Sequence, residues 1–189
     1  VIQDSLVRFI IENITRLRDM VKEINKLLGN RTFGMNSYRL NLTPQKEYER
    51  FVNTFQNFST FNADSTRDLR ELLEDYKDEI LNSEVNTIPT VLDYRNWFHY
   101  EMKVSTVGGD DGEVITRRLR SMGSGGEQAV PNYLLIMTIA HFLYRRSKIR
   151  THVMLFDEAF YGIDEERRNQ LLGFAGDLGL QLFVASPDQ

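Results

Sequence analysis

The residues best suited to chemistry are two adjacent carboxylates, Asp157 and Glu158, which directly follow the apolar run Val153–Phe156. Such a run predicts a strand buried on both faces, and α/β sheets bind ligands at the carboxyl ends of their strands. Asp157 offers a hard oxygen that suits Mg²⁺, directly or through water. Glu158 could then polarise a water molecule beside a terminal phosphate. A strand that simply ends in two solvated acids would have the same sequence, so the pair alone does not show that the carboxylates are functional.

A glycine-rich segment at residues 123–128, with the sequence Gly-Ser-Gly-Gly-Glu-Gln, precedes an apolar stretch that predicts a helix from about residue 128 to 145. A helix start presents unpaired N–H groups and the positive end of the dipole, and glycines let a phosphate approach closely. Ser124 adds a hydroxyl donor. Apolar residues lie nearly all round the helix, which predicts that it is buried. Without a following Gly-Lys-Ser/Thr, the segment is not a phosphate loop.

The loop at residues 159–164 ends where the next helix is predicted to begin, near Glu165. Asp164, the last residue of this loop, is suited to cap that helix, because its short side chain can accept from the free N–H groups of the first turn. Such a cap would be a purely structural role. A final strand is predicted at residues 180–185.

Residues 1–28 predict one long helix that Gly29 and Asn30 end. Its apolar residues recur at alternating steps of four and three, at Ile10, Ile14, Leu17, Val21, Ile24 and Leu28. This period is typical of a coiled-coil seam, although it covers only about three heptads. An amphipathic helix packed on a domain would give the same pattern, so both interpretations remain open.

The segment between the long helix and the glycine motif predicts strands and helices in turn. They are a strand at 38–42, a helix starting at Thr43-Pro44, a helix at 65–81, an aromatic-rich strand at 92–104, a turn at 108–112 and a short return strand at 113–116. The aromatic residues at 92–104 could stack on nucleic-acid bases, but a sheet packed on a helix needs them equally. The remainder alternates strand and helix, as in an α/β layer.

The composition excludes several kinds of site. The chain has 189 residues and a net charge of −4, so it offers no overall basic field for nucleic acid. It has no cysteine, which excludes disulfides, cysteine-ligated zinc and thiol nucleophiles. Its three histidines are scattered without metal-ligand spacing. No apolar stretch reaches the roughly 18 residues that a membrane span needs.

Taken together, the three motifs resemble the C-terminal lobe of ATP-binding-cassette (ABC) ATPase heads of the SMC-like, chromosome-maintenance branch. Residues 124–127 look like the signature motif, residues 153–158 like Walker B, and Asp164 falls at the D-loop aspartate. The resemblance covers residues 117–189 and extends loosely to the start of the chain. Its general pattern is most similar to SbcC-like, MukB-like or Wadjet JetC-like heads.

The resemblance implies an α/β fold, with a central, mostly parallel sheet and flanking helices. Residues 1–30 would be the end of a coiled-coil arm entering the head, and residues 31–189 the C-terminal lobe, with the signature at 123–128, Walker B at 153–158 and the D-loop at 159–164. The implied cofactors are ATP and Mg²⁺. The implied roles are catalysis by Glu158, metal binding by Asp157, and nucleotide contacts from Ser124, Gly125, Gly126, Glu127 and Asp164.

The implied partners are an N-terminal Walker A lobe of the same protein, a second head across ATP, DNA, and kleisin-like or nuclease subunits. The expected location is the cytoplasm, on the nucleoid. Without the Walker A lobe, we expect the isolated chain neither to bind nor to hydrolyse ATP.

Two departures from the family pattern favour a divergent member. Residues 186–188, Ser-Pro-Asp, stand where a switch histidine is expected, and Gly123 replaces the usual leucine. Three other interpretations remain: a degenerate coiled-coil scaffold, half of a transporter cassette, and a metal nuclease using Asp157, Glu158 and Asp164.

Overall fold

The computed structural model describes residues 2–29, 31–59, 62–82, 88–106, 113–114, 125–148, 150–157 and 159–185. The helices are α1 Ile2–Leu28, α2 Glu49–Gln56, α3 Ala63–Asp75, α4 Lys77–Leu81, α5 Gly125–Arg146 and α6 Glu165–Asp177. The strands are β1 Asn36–Pro44, β2 Phe98–Thr106, β3 Glu113–Val114, β4 Val153–Phe156 and β5 Gln181–Val184. One sheet has the order β1-β2-β3, with β3 antiparallel to β2, and β4 pairs with β5 in parallel.

The chain divides into two compact units. Unit 1 comprises residues 1–23 and 41–101, and unit 2 comprises residues 24–40 and 102–189. Every predicted motif therefore falls within unit 2. In the part of the chain that the structure describes, no helix is both long and apolar enough to span a membrane.

Unit 1 is built around Trp97, which has no exposed surface. Its indole Nε1 donates to the Val91 carbonyl oxygen at 2.8 Å, which satisfies the one polar atom of the side chain. The rings of Phe51 and Phe55 lie 5.3 and 5.2 Å from the Trp97 ring, centroid to centroid. Phe51, Val52 and Phe55 of α2 are all buried, so one face of this helix packs into the core of unit 1.

The long N-terminal helix is confirmed, and it ends at Gly29 as predicted, with φ at +49°. Ile10 and Ile14 belong to the core of unit 1, whereas Ile24 and Leu28 are buried in unit 2. This burial is what the packed amphipathic helix requires, because a coiled-coil partner would need the same side chains to be accessible. The assignment of residues 1–30 to the end of an arm stays a prediction.

The predicted boundary between the first strand and the helix after it is wrong. The strand predicted at 38–42 is confirmed but continues to Pro44, so no helix begins at Thr43-Pro44. A 3₁₀ turn at Lys46–Tyr48 leads into α2 instead. The Gln45 N–H donates to the Trp97 carbonyl oxygen at 2.9 Å, which holds this segment extended beyond the strand.

The aromatic strand also begins later than predicted. Residues 92–97 do not belong to the strand, because two 3₁₀ turns, Thr90–Leu92 and Tyr94–Asn96, precede β2. The Asp93 side chain caps the second turn by accepting from the Arg95 N–H at 3.1 Å. The helix predicted at 65–81 is two helices, α3 and α4, which meet at Tyr76. The predicted turn at 108–112 lies outside the described residues.

The parallel pair β4–β5 and its helices α5 and α6 form the α/β part of unit 2. The strand predicted at 180–185 is confirmed as β5. A mixed α/β arrangement is compatible with an ATPase head lobe, but the described strands contain only this two-stranded parallel sheet. The larger central sheet stays a prediction.

Two predictions of complete burial are wrong for this chain. Strand β4 is not covered on both faces, since Leu155 is 78% exposed and its cross-strand partner Phe183 is 60% exposed. Helix α5 buries one face only; its buried apolar residues are Val130, Leu134 and Met137, and its exposed ones are Ile136, Ile139 and Leu143. An apolar pattern identifies side chains that avoid water, but it does not say which polypeptide covers them.

Candidate functional site

Asp157 lies where the sequence predicts it, at the carboxyl edge of the parallel pair. Strands β4 and β5 are in register from Val153 opposite Gln181 to Phe156 opposite Val184. Beyond the strands, the Ala185 N–H donates to the Phe156 carbonyl oxygen at 2.9 Å. Asp157 therefore directly follows the last paired residue of β4.

The Asp157 side chain is exposed, and it borders a cavity of about 430 Å³ on this edge of the pair. The remaining lining consists of Leu155, Phe156, Phe183, Val184 and Ala185. An exposed carboxylate at a strand end fits a hydrated Mg²⁺, which retains several waters and takes one or two protein oxygens. No group of three or more potential metal ligands occurs among the described residues. Glu158 lies outside them, so the metal-nuclease set is not tested.

The signature-like segment is described only in part. Helix α5 begins at Gly125, three residues earlier than predicted, which places Gly125 and Gly126 in its first turn. Backbone N–H groups of a first turn are unpaired within the helix and fit a phosphate, and glycine leaves them open to close approach. Gly123, Ser124 and the side chain of Glu127 lie outside the described residues.

The loop after Asp157 is held by a residue that the sequence analysis did not single out. The Tyr133 hydroxyl of α5 accepts from the Phe160 N–H at 3.0 Å, and the two rings lie 4.9 Å apart. Phe160 has a φ of +63°, a conformation that is uncommon for a residue with a side chain. The Ile163 N–H closes the turn by donating to the Phe160 carbonyl oxygen at 3.0 Å. Tyr133 was predicted only as one of many apolar positions on α5.

Asp164 caps α6, the structural role that its position also allowed. Its Oδ1 accepts from the Arg167 N–H at 2.9 Å, and its Oδ2 pairs with the Arg167 guanidinium. These hydrogen bonds, first from the backbone and then from the side chain of Arg167, hold the pKa of the Asp164 carboxyl below its usual range. A carboxyl group with a lowered pKa is ionised throughout the neutral range.

The structure thus brings Asp157 and Asp164 into one connection between β4 and α6, and it places the two glycines at a separate helix start. Arg167 was also missed by the sequence analysis. An acidic cap followed three residues later by arginine was the available signal, since such pairs share one face of a helix.

Residues 89–176 match the family model described as SbcC/RAD50-like, Walker B motif. The matched segment includes β4, Asp157, the following loop and most of α6. This match supports an SMC-like ABC ATPase head region, with nucleotide hydrolysis in the complete protein. Nucleotide and Mg²⁺ binding are general properties that the Walker B motif implies. No curated protein matches the chain.

Proposed function

We propose that this chain is the C-terminal half of the ATPase head of an SMC-like, DNA-acting ABC ATPase. The observation that carries the proposal is the placement of Asp157 at the carboxyl edge of a parallel strand pair, within the segment matched by the Walker B family model. In this proposal, ATP closes two heads on each other and hydrolysis separates them. The work is done on DNA, in maintenance, repair or defence against plasmids.

The site residues would divide the chemistry between them. Asp157 would hold the metal ion, while the first-turn N–H groups of Gly125 and Gly126, with Ser124 and Glu127, would bind phosphate of the nucleotide on the opposing head. Glu158 would accept the proton of the attacking water. A bound Mg²⁺ neutralises charge on the phosphate oxygens. Asp164 would contact the nucleotide from the end of the loop.

The exposed apolar surface of unit 2 supports an N-terminal Walker A lobe as the first partner. Leu155 and Phe183 are exposed side by side on β4–β5, and α5 exposes Leu143 to 65%. Large apolar side chains that cluster on a surface mark interaction sites. A lobe that adds strands to the pair would complete the sheet, and helices of that lobe packed on the sheet face would cover Leu155 and Phe183. Kleisin-like or nuclease subunits and a nucleoid location are further parts of the proposal.

Removing the proposed metal ligand tests the function directly. We expect Asp157→Asn in the complete protein to weaken Mg²⁺-dependent ATP binding by about tenfold or more, because it removes a charged ligand while keeping the side-chain shape. Titration with ATP at several Mg²⁺ concentrations measures this. Glu49→Gln, which removes an exposed negative charge from unit 1, is the matched control and should bind as the wild type does. Equal binding by both variants would contradict the proposed role.

A second test addresses head closure. We expect Ser124→Arg to leave the protein folded but to abolish ATP-dependent association of heads, because it places bulk and a long side chain where a phosphate must approach. Sedimentation of the complete protein with and without ATP measures the association, and circular dichroism checks the fold. Ser124→Ala, which removes only the hydroxyl, should retain part of the association. Normal dimerisation of the arginine variant would refute the assignment.

Two other functions compete with this one. A degenerate scaffold would keep the fold but tolerate loss of the acids, so it predicts no effect of Asp157→Asn. A transporter cassette half would show the same ATP dependence but would associate with membrane subunits instead of DNA. DNA-stimulated ATP turnover by the complete protein separates the motor from both.

A further inference from the structure

A short segment that follows α1, residues 31–34, lies along helix α6 in unit 2. The Gly34 N–H donates to the Gln170 side-chain Oε1 at 2.6 Å. The Phe33 ring meets the Phe174 ring edge to face, with centroids 5.9 Å apart, and both side chains are buried. One polar and one apolar contact thus attach this segment to successive turns of α6.

Arg31 extends the attachment to the end of the helix. Its guanidinium pairs with Asp177 at 2.7 Å and lies over the Phe174 ring, 5.5 Å from the centroid. The contacted residues, Gln170, Phe174 and Asp177, are spaced by four and then three, so they share one face of α6. Arg167 is the next residue on this face towards the start of the helix.

Gly34 is fitted closely against Arg167. Its φ is +63°, and a Cβ built there would come within 2.8 Å of the Arg167 Nε, a distance that real Cβ atoms do not show. Arg167 is the residue that binds the Asp164 carboxylate through both its backbone and its guanidinium. The absence of a side chain at Gly34 therefore leaves the room in which Arg167 pairs with Asp164.

We propose that residues 31–34 position Asp164 for its nucleotide contact, acting through Arg167. Gly34 and Arg167 are then positioning residues, because neither needs to touch the nucleotide. The proposal rests on the proposed function of Asp164 in an ATPase head. It makes the site depend on the connection between α1 and β1, which lies about 130 residues before Asp164 in the sequence.

Gly34→Ala tests the proposal, with Gly179→Ala as its matched control. Both glycines lie in unit 2 with similar positive φ values, +63° and +68°, so alanine strains the backbone alike at both. Nothing lies within 4 Å of a Cβ at Gly179, whereas a Cβ at Gly34 must displace the Arg167 guanidinium. The two variants therefore differ in the contact that the proposal concerns.

In the complete protein, we expect Gly34→Ala to raise the KM for ATP about fivefold, the lower end of typical coupling between sites, while Gly179→Ala changes it less than twofold. KM is the informative quantity because a variant that is merely less well folded lowers the active fraction and hence the apparent kcat, but leaves KM unchanged. Hydrogen exchange of residues 159–168, measured without nucleotide, should also be faster in Gly34→Ala alone.

A double-mutant cycle tests whether the effect of Gly34→Ala is transmitted through Arg167. In an Arg167→Ala background, adding Gly34→Ala should have no more effect on KM than adding Gly179→Ala, since the displaced group is already gone. Equal KM and exchange for the two glycine variants would overturn the proposal, as would an undiminished effect of Gly34→Ala without Arg167. A wild-type protein that never hydrolyses ATP would instead sink the proposed function.

Discussion

Glu158→Gln in the complete protein is expected to lower steady-state ATP turnover by at least about 100-fold while ATP still holds two heads together. General-base catalysis contributes roughly 10²–10⁴-fold, and glutamine keeps the shape of the side chain but cannot accept the proton of the attacking water. Because binding groups such as Asp157 are untouched, the nucleotide should still bind. Phosphate release measures the turnover, and light scattering after gel filtration measures the association.

The matched control is Glu165→Gln, the same substitution at an exposed acid in the first turn of α6. It should hydrolyse ATP within about twofold of the wild type, as surface substitutions usually change little. The scaffold hypothesis predicts no difference between the two variants. Loss of turnover together with loss of the ATP-bound dimer would show that Glu158 contributes to binding, which would contradict its assignment as the base.

The sequence alone was sufficient to predict the structural elements that local patterns define. Strand β4 was predicted from four consecutive apolar residues, and Asp164 was predicted as a cap because a short acid preceded a helical stretch. The end of α1 at Gly29 followed from helix-stop chemistry. For the cap and the helix end, the deciding interactions lie within a few residues along the chain. Strand β4 was predicted from its own apolar residues, although its pairing partner β5 comes later in the sequence.

The errors came from interactions between distant segments. Thr43-Pro44 is favourable for a helix start, yet the segment stays extended because Gln45 donates to Trp97, about 50 residues later. Capping preferences contribute only about 1 kcal/mol, so a tertiary contact can override them. The same reason explains why Tyr133 was missed as a site residue, since its partner Phe160 belongs to a distant loop. Arg167 was missed although its signal, an arginine three residues after an acidic cap, is local.

The incomplete burial of unit 2 could not have been predicted from composition. An alternating or continuous apolar pattern requires that a face be covered, but Leu155 and Leu143 are exposed in this chain. Unit 1 offers a contrast, because its core side chains are covered by one another around Trp97. The Trp97 cluster is therefore the place where the stability of unit 1 is best tested.

Trp97→Ala is expected to lower the free energy of unfolding by about 3–5 kcal/mol, the usual cost of removing a large aromatic from a core. The side chain is fully buried between Phe51 and Phe55, so little rearrangement can fill the cavity. Urea unfolding followed by far-UV circular dichroism measures the change. Fluorescence is unsuitable, because Trp97 is the only tryptophan in the chain.

Two further variants separate the contributions to that loss. Trp97→Phe retains most of the apolar volume but leaves the Val91 carbonyl oxygen without its indole donor, so we expect an intermediate loss of about 1–3 kcal/mol. Tyr100→Ala removes an aromatic ring from a half-exposed position on β2 and should cost less than either. If Tyr100→Ala were as damaging as Trp97→Ala, the stability of unit 1 would depend on the strand and not on the ring cluster. A loss of unfolding free energy that decreases from Trp97→Ala to Trp97→Phe to Tyr100→Ala is expected only if the indole contributes both packing and a hydrogen bond.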